Sequence, residues 1–127
     1  MNEQQFKNRT KQLGVRIIRV VDALPQSRAA DVIGRQMLRS ATSVGANYRA
    51  ACRAKSPADM INKLKIVEEE ADETLFWQEL LIESELVPRA RLAELMTETD
   101  EILAMTIASI KTLRAKFDPG QIVNPKL

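Results

Sequence analysis

A chain of 127 residues with 19 Lys/Arg, 17 Asp/Glu, one Cys and no His has the size of one domain, which typically buries about two-thirds of the surface its unfolded form exposes. The lack of histidine removes the most common general base and the Glu-x-x-His pattern of di-iron bundles, while a lone cysteine supplies no disulfide framework. The net charge of +2 conceals two opposed halves: residues 1–55 carry eleven Lys/Arg against three Asp/Glu, a net of +8, and residues 56–127 carry eight against fourteen, a net of −6. Such asymmetry points to nucleic-acid contact or to pairing between the halves.

Proline and serine divide the chain into four periodic segments, because proline disfavours helical geometry in the residue before it and is tolerated in a first helical turn. The first helix is predicted over about 3–24, with Phe6, Leu13, Ile17, Val20, Val21 and Leu24 at the three-and-four spacing of one apolar face. The second, about 28–55, starts at Ser27 as N-cap and buries Ala30, Ile33, Met37, Ala41, Val44, Tyr48 and Ala51. Its small residues, Ser40 to Ser43 and Gly45 to Ala46, predict close approach of a neighbouring helix, with Asn47 bonding across the contact.

The third helix, about 57–86, has the clearest start signal: Ser56 as N-cap, Pro57 at the first position and Asp59 in the first turn, near the positive pole. Its core face reads Met60, Leu64, Val67, Ala71, Leu75, Gln78 and Ile82. Pro88 opens the fourth, about 88–117, whose stripe runs from Leu92 through Thr99, Ile102, Thr106 and Ile110 to Phe117. Short connections place sequential helices antiparallel. The expected fold is therefore all-α, an up-down-up-down four-helix bundle over residues 1–117 with an irregular tail over 118–127. No window approaches the roughly 18 apolar residues of a membrane span, and Met1 to Lys11 is polar apart from Phe6, with no N-terminal apolar run. A cytoplasmic protein without membrane contact is expected.

Two surfaces stand out. On the second helix Arg28, Arg35, Arg39, Arg49 and Arg53 fall nearly opposite the apolar stripe. One reading is a solvated or salt-bridged face. The other is a phosphate-tracking surface, because a planar fork of donors grips phosphate oxygens, widened by Lys7, Arg9, Lys11, Arg16 and Arg19 on the first helix. On the third helix Ile66, Trp77, Leu80 and Leu81 form a second apolar strip beside the core stripe, flanked by Glu69, Glu70 and Glu73. A tryptophan ringed by acids on an outer face suggests a subunit contact, unless it merely widens the chain's own core.

Catalysis and cofactors find no support. Consecutive helical acids fan outward where a hard-cation cage needs convergent oxygens, Cys52 has no histidine partner, and the isolated glycines form no phosphate-cradling loop. No metal, no cofactor and no enzyme activity are expected.

The segments SVGANYRAACRAKS (Ser43 to Ser56) and NKLKIVEEEADETLFW (Asn62 to Trp77), with RSAT at Arg39 to Thr42, resemble the four-helix-bundle family of 23S rRNA intervening-sequence proteins. The resemblance covers most of the chain. It implies an antiparallel bundle assembled into a homopentameric ring or barrel, association with nucleic acid, and no enzyme activity. The accessory proteins of diversity-generating retroelements look similar and act with a reverse transcriptase and nucleic acid. The leading expectation is thus a homo-oligomer that presents Arg16, Arg19, Arg28, Arg35, Arg39, Arg49 and Arg53 to RNA or DNA phosphates. The competing one is an assembly or adaptor protein that binds a partner such as a reverse transcriptase, its basic face consumed by neighbouring subunits.

Overall fold

The structure, a computed structural model, describes residues 1–117. The expected tail over 118–127 lies outside them. Four helices follow in order: α1 (Glu3–Asp22), α2 (Arg28–Cys52), α3 (Pro57–Glu83) and α4 (Arg89–Phe117), with no strand among the described residues. Contacts between helices fix their directions. Thr10 lies against Gly45 and Gly14 against Thr42, while Arg9 reaches Glu98 and Glu101 and Arg16 reaches Glu94, so α2 and α4 both run opposite to α1. Each helix packs against its successor, and α1 meets α4 only sparsely.

The starts are those the sequence dictates. Asn2 and Gln5 form a reciprocal capping box, Gln5 N donating to Asn2 Oδ1 at 2.8 Å and Asn2 N to Gln5 Oε1 at 3.0 Å. Ser27 accepts from Ala30 N at 3.0 Å and Ser56 from Asp59 N at 3.1 Å, with Pro57 in the first turn.

The ends fall two or three residues short of the predicted positions in the first three helices. α1 closes in a tighter turn, Ala23 N donating to Val20 O and Leu24 N to Val21 O, before Pro25. α3 ends in a full Schellman arrangement: Leu86 N donates to Leu81 O at 3.0 Å and Glu85 N to Ile82 O at 2.9 Å. Glu85, at the left-handed position, has φ 63°, where a Cβ is penalised and glycine is not. Glu85→Gly is therefore expected to raise stability by about 0.5–1 kcal/mol, read as a higher urea midpoint with unchanged slope.

The core is continuous from Phe6 through Ile17, Met37, Val44, Leu64, Leu92 and Ile102 to Ile110. Phe117, expected at the end of the α4 stripe, is half exposed instead. Polar groups cross the core in matched pairs. Ser40 and Thr74 share a 2.8 Å hydrogen bond between α2 and α3, and one turn further Gln78 Nε2 donates to Thr99 Oγ1 at 3.1 Å between α3 and α4. Gln78 Oε1 is the buried side-chain atom left without a partner among the described residues.

Gly45 sets the α1/α2 distance. A Cβ there would lie 3.2 Å from the Thr10 carbonyl oxygen and 3.4 Å from Lys11 N, so only glycine lets the two backbones approach this closely. Across the same valley a Cβ at Gly14 would meet nothing nearer than 3.8 Å. The small run predicted close helix approach, and it is α1 that approaches. Asn47 does not bond across the contact: its Nδ2 donates to Ser43 O at 2.9 Å and to Ser43 Oγ at 2.8 Å within α2.

Candidate functional site

The close α1/α2 packing leaves an open valley on its outer side, a groove of about 430 Å³. Its floor is Gly14, Val15, Ile18, Thr42 and Ala46. Its walls carry Lys7 and Lys11 from α1 and Arg49 and Arg53 from α2, each pair four residues apart and hence about 6 Å apart along its helix, and no Asp or Glu lines it. Among the described residues none of these four cations has a carboxylate within ion-pair distance. The groove is a concentrated positive field at the end where α1 begins and is apolar toward Val15 and Ile18.

The other predicted arginines are dispersed. Arg35 pairs with Asp31 on its own helix at 3.1 Å. Arg39 reaches α3, where it holds Glu70 at 3.2 Å and also bonds Glu73, and the two acids keep its guanidinium raised above its ordinary pKa, the Glu73 hydrogen bond contributing most. Arg16 lies 3.5 Å from the exposed Glu94, and Arg9 is clamped by two carboxylates of α4. Arg28 is exposed at the start of α2, and Arg19 lines a separate depression with Arg91 at the other end of α1. The five-arginine track expected on α2 is thus broken in its middle by Asp31, Glu70 and Glu73. Only Arg49 and Arg53 of it share a concave site, together with lysines that the sequence reading had assigned a supporting role.

The α3 strip is also redrawn. Leu81 is fully buried in the chain's own core, so it is not part of an outer surface; one step of about 100° from Leu80 turns it inward. Ile66 is exposed, Leu80 is partly buried, and Trp77 packs partly against the core. Phe76, which the sequence reading left out, is half exposed and meets Trp77 edge to face at a centroid distance of 5.1 Å. Glu69 is exposed, but Glu70 and Glu73 already serve Arg39 within the chain. The outer edge is therefore Ile66, Glu69, Phe76, Trp77 and Leu80.

Trp77 Nε1 donates to Glu73 Oε2 at 3.0 Å. That bond, and then Arg39, hold the Glu73 carboxyl below its ordinary value of 4.5. A depressed carboxylate stabilises the fold above its unfolded pKa and loses that contribution as pH falls through the lower, folded value. Trp77 is the only tryptophan, so its emission is expected to change in a transition centred below pH 4.5. Glu73→Gln should remove that transition.

Cys52 is half buried beside Tyr48, and burial pushes its thiol above the ordinary value of 9.0. It stays protonated, which disfavours nucleophilic use. Among the described residues no group of three His, Cys, Asp or Glu could hold a metal ion, and no helix is long and apolar enough to cross a membrane.

Fold and surface together define a class: an all-α, antiparallel four-helix bundle whose charged features lie on outer helix faces. Within that class the chain belongs to the 23S rRNA-intervening sequence protein family, whose model matches residues 2–108. It is similar to a crystal structure of a protein of unknown function from the S23 ribosomal protein family of Bacteroides thetaiotaomicron. The two are 39% identical with a TM-score of 0.81, over 87% of this chain and 99% of that one. No curated protein matches.

Proposed function

We propose that this protein is a non-enzymatic homo-oligomer that associates with RNA or DNA through the α1/α2 groove, reading phosphate charge and not base sequence. The observation that carries the proposal is the convergence of Lys7, Lys11, Arg49 and Arg53 on one acid-free concavity. Cations without carboxylate partners lose no ion pair on meeting phosphate, and they release condensed counterions when they do. Arg35 and Arg39 would first have to surrender Asp31, Glu70 and Glu73, which demotes them as phosphate ligands.

The apolar α3 edge supports the oligomeric part. Phe76 and Ile66 are large apolar groups left exposed beside Trp77, the composition of an interface anchor. The adaptor reading, with a reverse transcriptase or another protein as partner, would use the same edge.

Binding of labelled RNA and DNA across a salt series tests the proposal. Wild-type affinity is expected to fall steeply with salt, and Arg49→Glu with Arg53→Glu to weaken binding at least tenfold at low salt while flattening the slope by about 0.7–0.9 per lost phosphate contact. Arg35→Glu should change little. A wild-type protein that binds no nucleic acid at low salt would overturn the reading. Solution mass of wild type against Phe76→Glu tests the assembly edge, with dissociation expected for the variant.

A further inference from the structure

We infer that the α1/α2 groove receives a single nucleic-acid strand, not a duplex, with phosphates at its cationic end and a base on its aliphatic stretch. The inference rests on the nucleic-acid reading above and specifies the form of the ligand.

Size and curvature are the first argument. At about 430 Å³ the groove falls in the range of sites that enclose small ligands, roughly 300–1,000 Å³. It is the valley between two helices whose backbones nearly touch at Gly45. A duplex, whose major groove alone is about 12 Å across, is a convex rod too wide to enter; it would touch the rims and leave the floor unused.

The distribution of chemistry is the second. Charge sits toward the end of the groove where α1 begins, where Lys7 and Lys11 face Arg49 and Arg53 across Ala46, while Val15 and Ile18 continue the lining as an apolar stretch past Gly14 and Thr42. Ile18 is 44% exposed. Duplex DNA offers only its phosphates to such a surface, because its base faces are stacked away. An extended strand offers phosphate and an unstacked base together. Gln4 and Asn8, one turn apart at the α1 rim, add amides able to bond a base edge. The groove holds no aromatic side chain, so stacking adds little and discrimination among bases should be small.

Anisotropy titrations of a labelled unstructured 12-nucleotide strand and of the matching duplex, in RNA and in DNA, separate the alternatives. The strand is expected to bind at least tenfold more tightly than the duplex, with a log–log salt slope of about −3 for four phosphate contacts. Ala46→Leu fills the floor without altering charge, at an exposed position where leucine is a good helix former. It should weaken the strand about tenfold and leave the duplex unchanged, with circular dichroism confirming the fold. Ile18→Gln, which keeps the groove open and removes apolar floor, should weaken the strand severalfold.

Duplex binding as tight as strand binding, unmoved by Ala46→Leu, would overturn this inference while leaving the nucleic-acid reading intact. Absence of salt-dependent binding to either form would overturn both. A groove filled by a neighbouring copy, seen as a lower solution mass for Ala46→Leu with no strand bound by wild type, would also overturn it.

Discussion

Leu81→Ala is expected to cost about 2–5 kcal/mol of unfolding free energy, the range for truncating a leucine in a core that cannot collapse around the void. Leu81 is fully buried, and its carbonyl also anchors the Schellman turn, accepting from Leu86 N and Val87 N. The void would open beside the turn that ends α3. Leu80, one residue earlier and partly buried, should cost about 1 kcal/mol on the same truncation. Urea unfolding at fixed protein concentration measures both, the fixed concentration being needed because any assembly would add to apparent stability. If Leu81→Ala left the midpoint unchanged and instead lowered the solution mass, Leu81 would face outward and the description of α3 would be wrong.

The second large effect is expected at Arg9. Its Nε donates to Glu98 Oε2 at 2.6 Å, and one terminal nitrogen donates to Glu98 Oε1 at 2.7 Å and to Glu101 Oε1 at 2.5 Å. The Glu98 bond is the largest cause of a guanidinium pKa held above its ordinary value. Arg9 and Glu98 are each only about a fifth exposed, so this is a partly desolvated, bidentate pair of the kind that contributes measurably. It also fastens the two helices that otherwise meet least. Arg9→Gln leaves Glu98 without its cation and should cost about 1–2 kcal/mol, the usual loss for a charged hydrogen bond reduced for partial exposure. A double-mutant cycle with Glu98→Gln should return a coupling near 1 kcal/mol. By contrast Arg35→Gln, whose Asp31 partner lies exposed on the same helix, should cost no more than about 0.5 kcal/mol. Equal costs for Arg9 and Arg35 would show that the α1/α4 clamp contributes nothing beyond an ordinary surface pair.

Helix number, order and starts were legible because their signals are local: Ser27, Ser56 and Pro57 act within one turn of themselves. Core membership was legible where one residue dominates a turn, as at Met37, Leu64 and Ile102. It failed at Leu81, which is buried, and at Leu75, which is only partly buried beside a buried Thr74, because neighbouring residues differ by about 100° and only the positions of α2 and α4 decide which one turns inward. The arginine face failed for a related reason. Periodicity places Arg39 with Arg35 on α2, but the axial register between α2 and α3 puts Glu70 and Glu73 within its reach. The groove also depended on register. Two i,i+4 cation pairs and the glycines at 14 and 45 were all visible in the sequence, yet nothing local states that Lys7, Lys11, Arg49 and Arg53 share one valley. The usable signal was Gly45 inside a helix, a residue that costs about 1 kcal/mol there unless a backbone comes close.

The polar rungs at Ser40–Thr74 and Gln78–Thr99 act as a ratchet stop. Sliding α3 lengthwise by one turn would unmatch them, setting Ser40 against Ala71 or Thr99 against Ile82 and stranding a hydroxyl away from water. Every copy of the bundle therefore inherits the same offset between Arg39 and its two acids, and with it the division between arginines that are spoken for and arginines that are not.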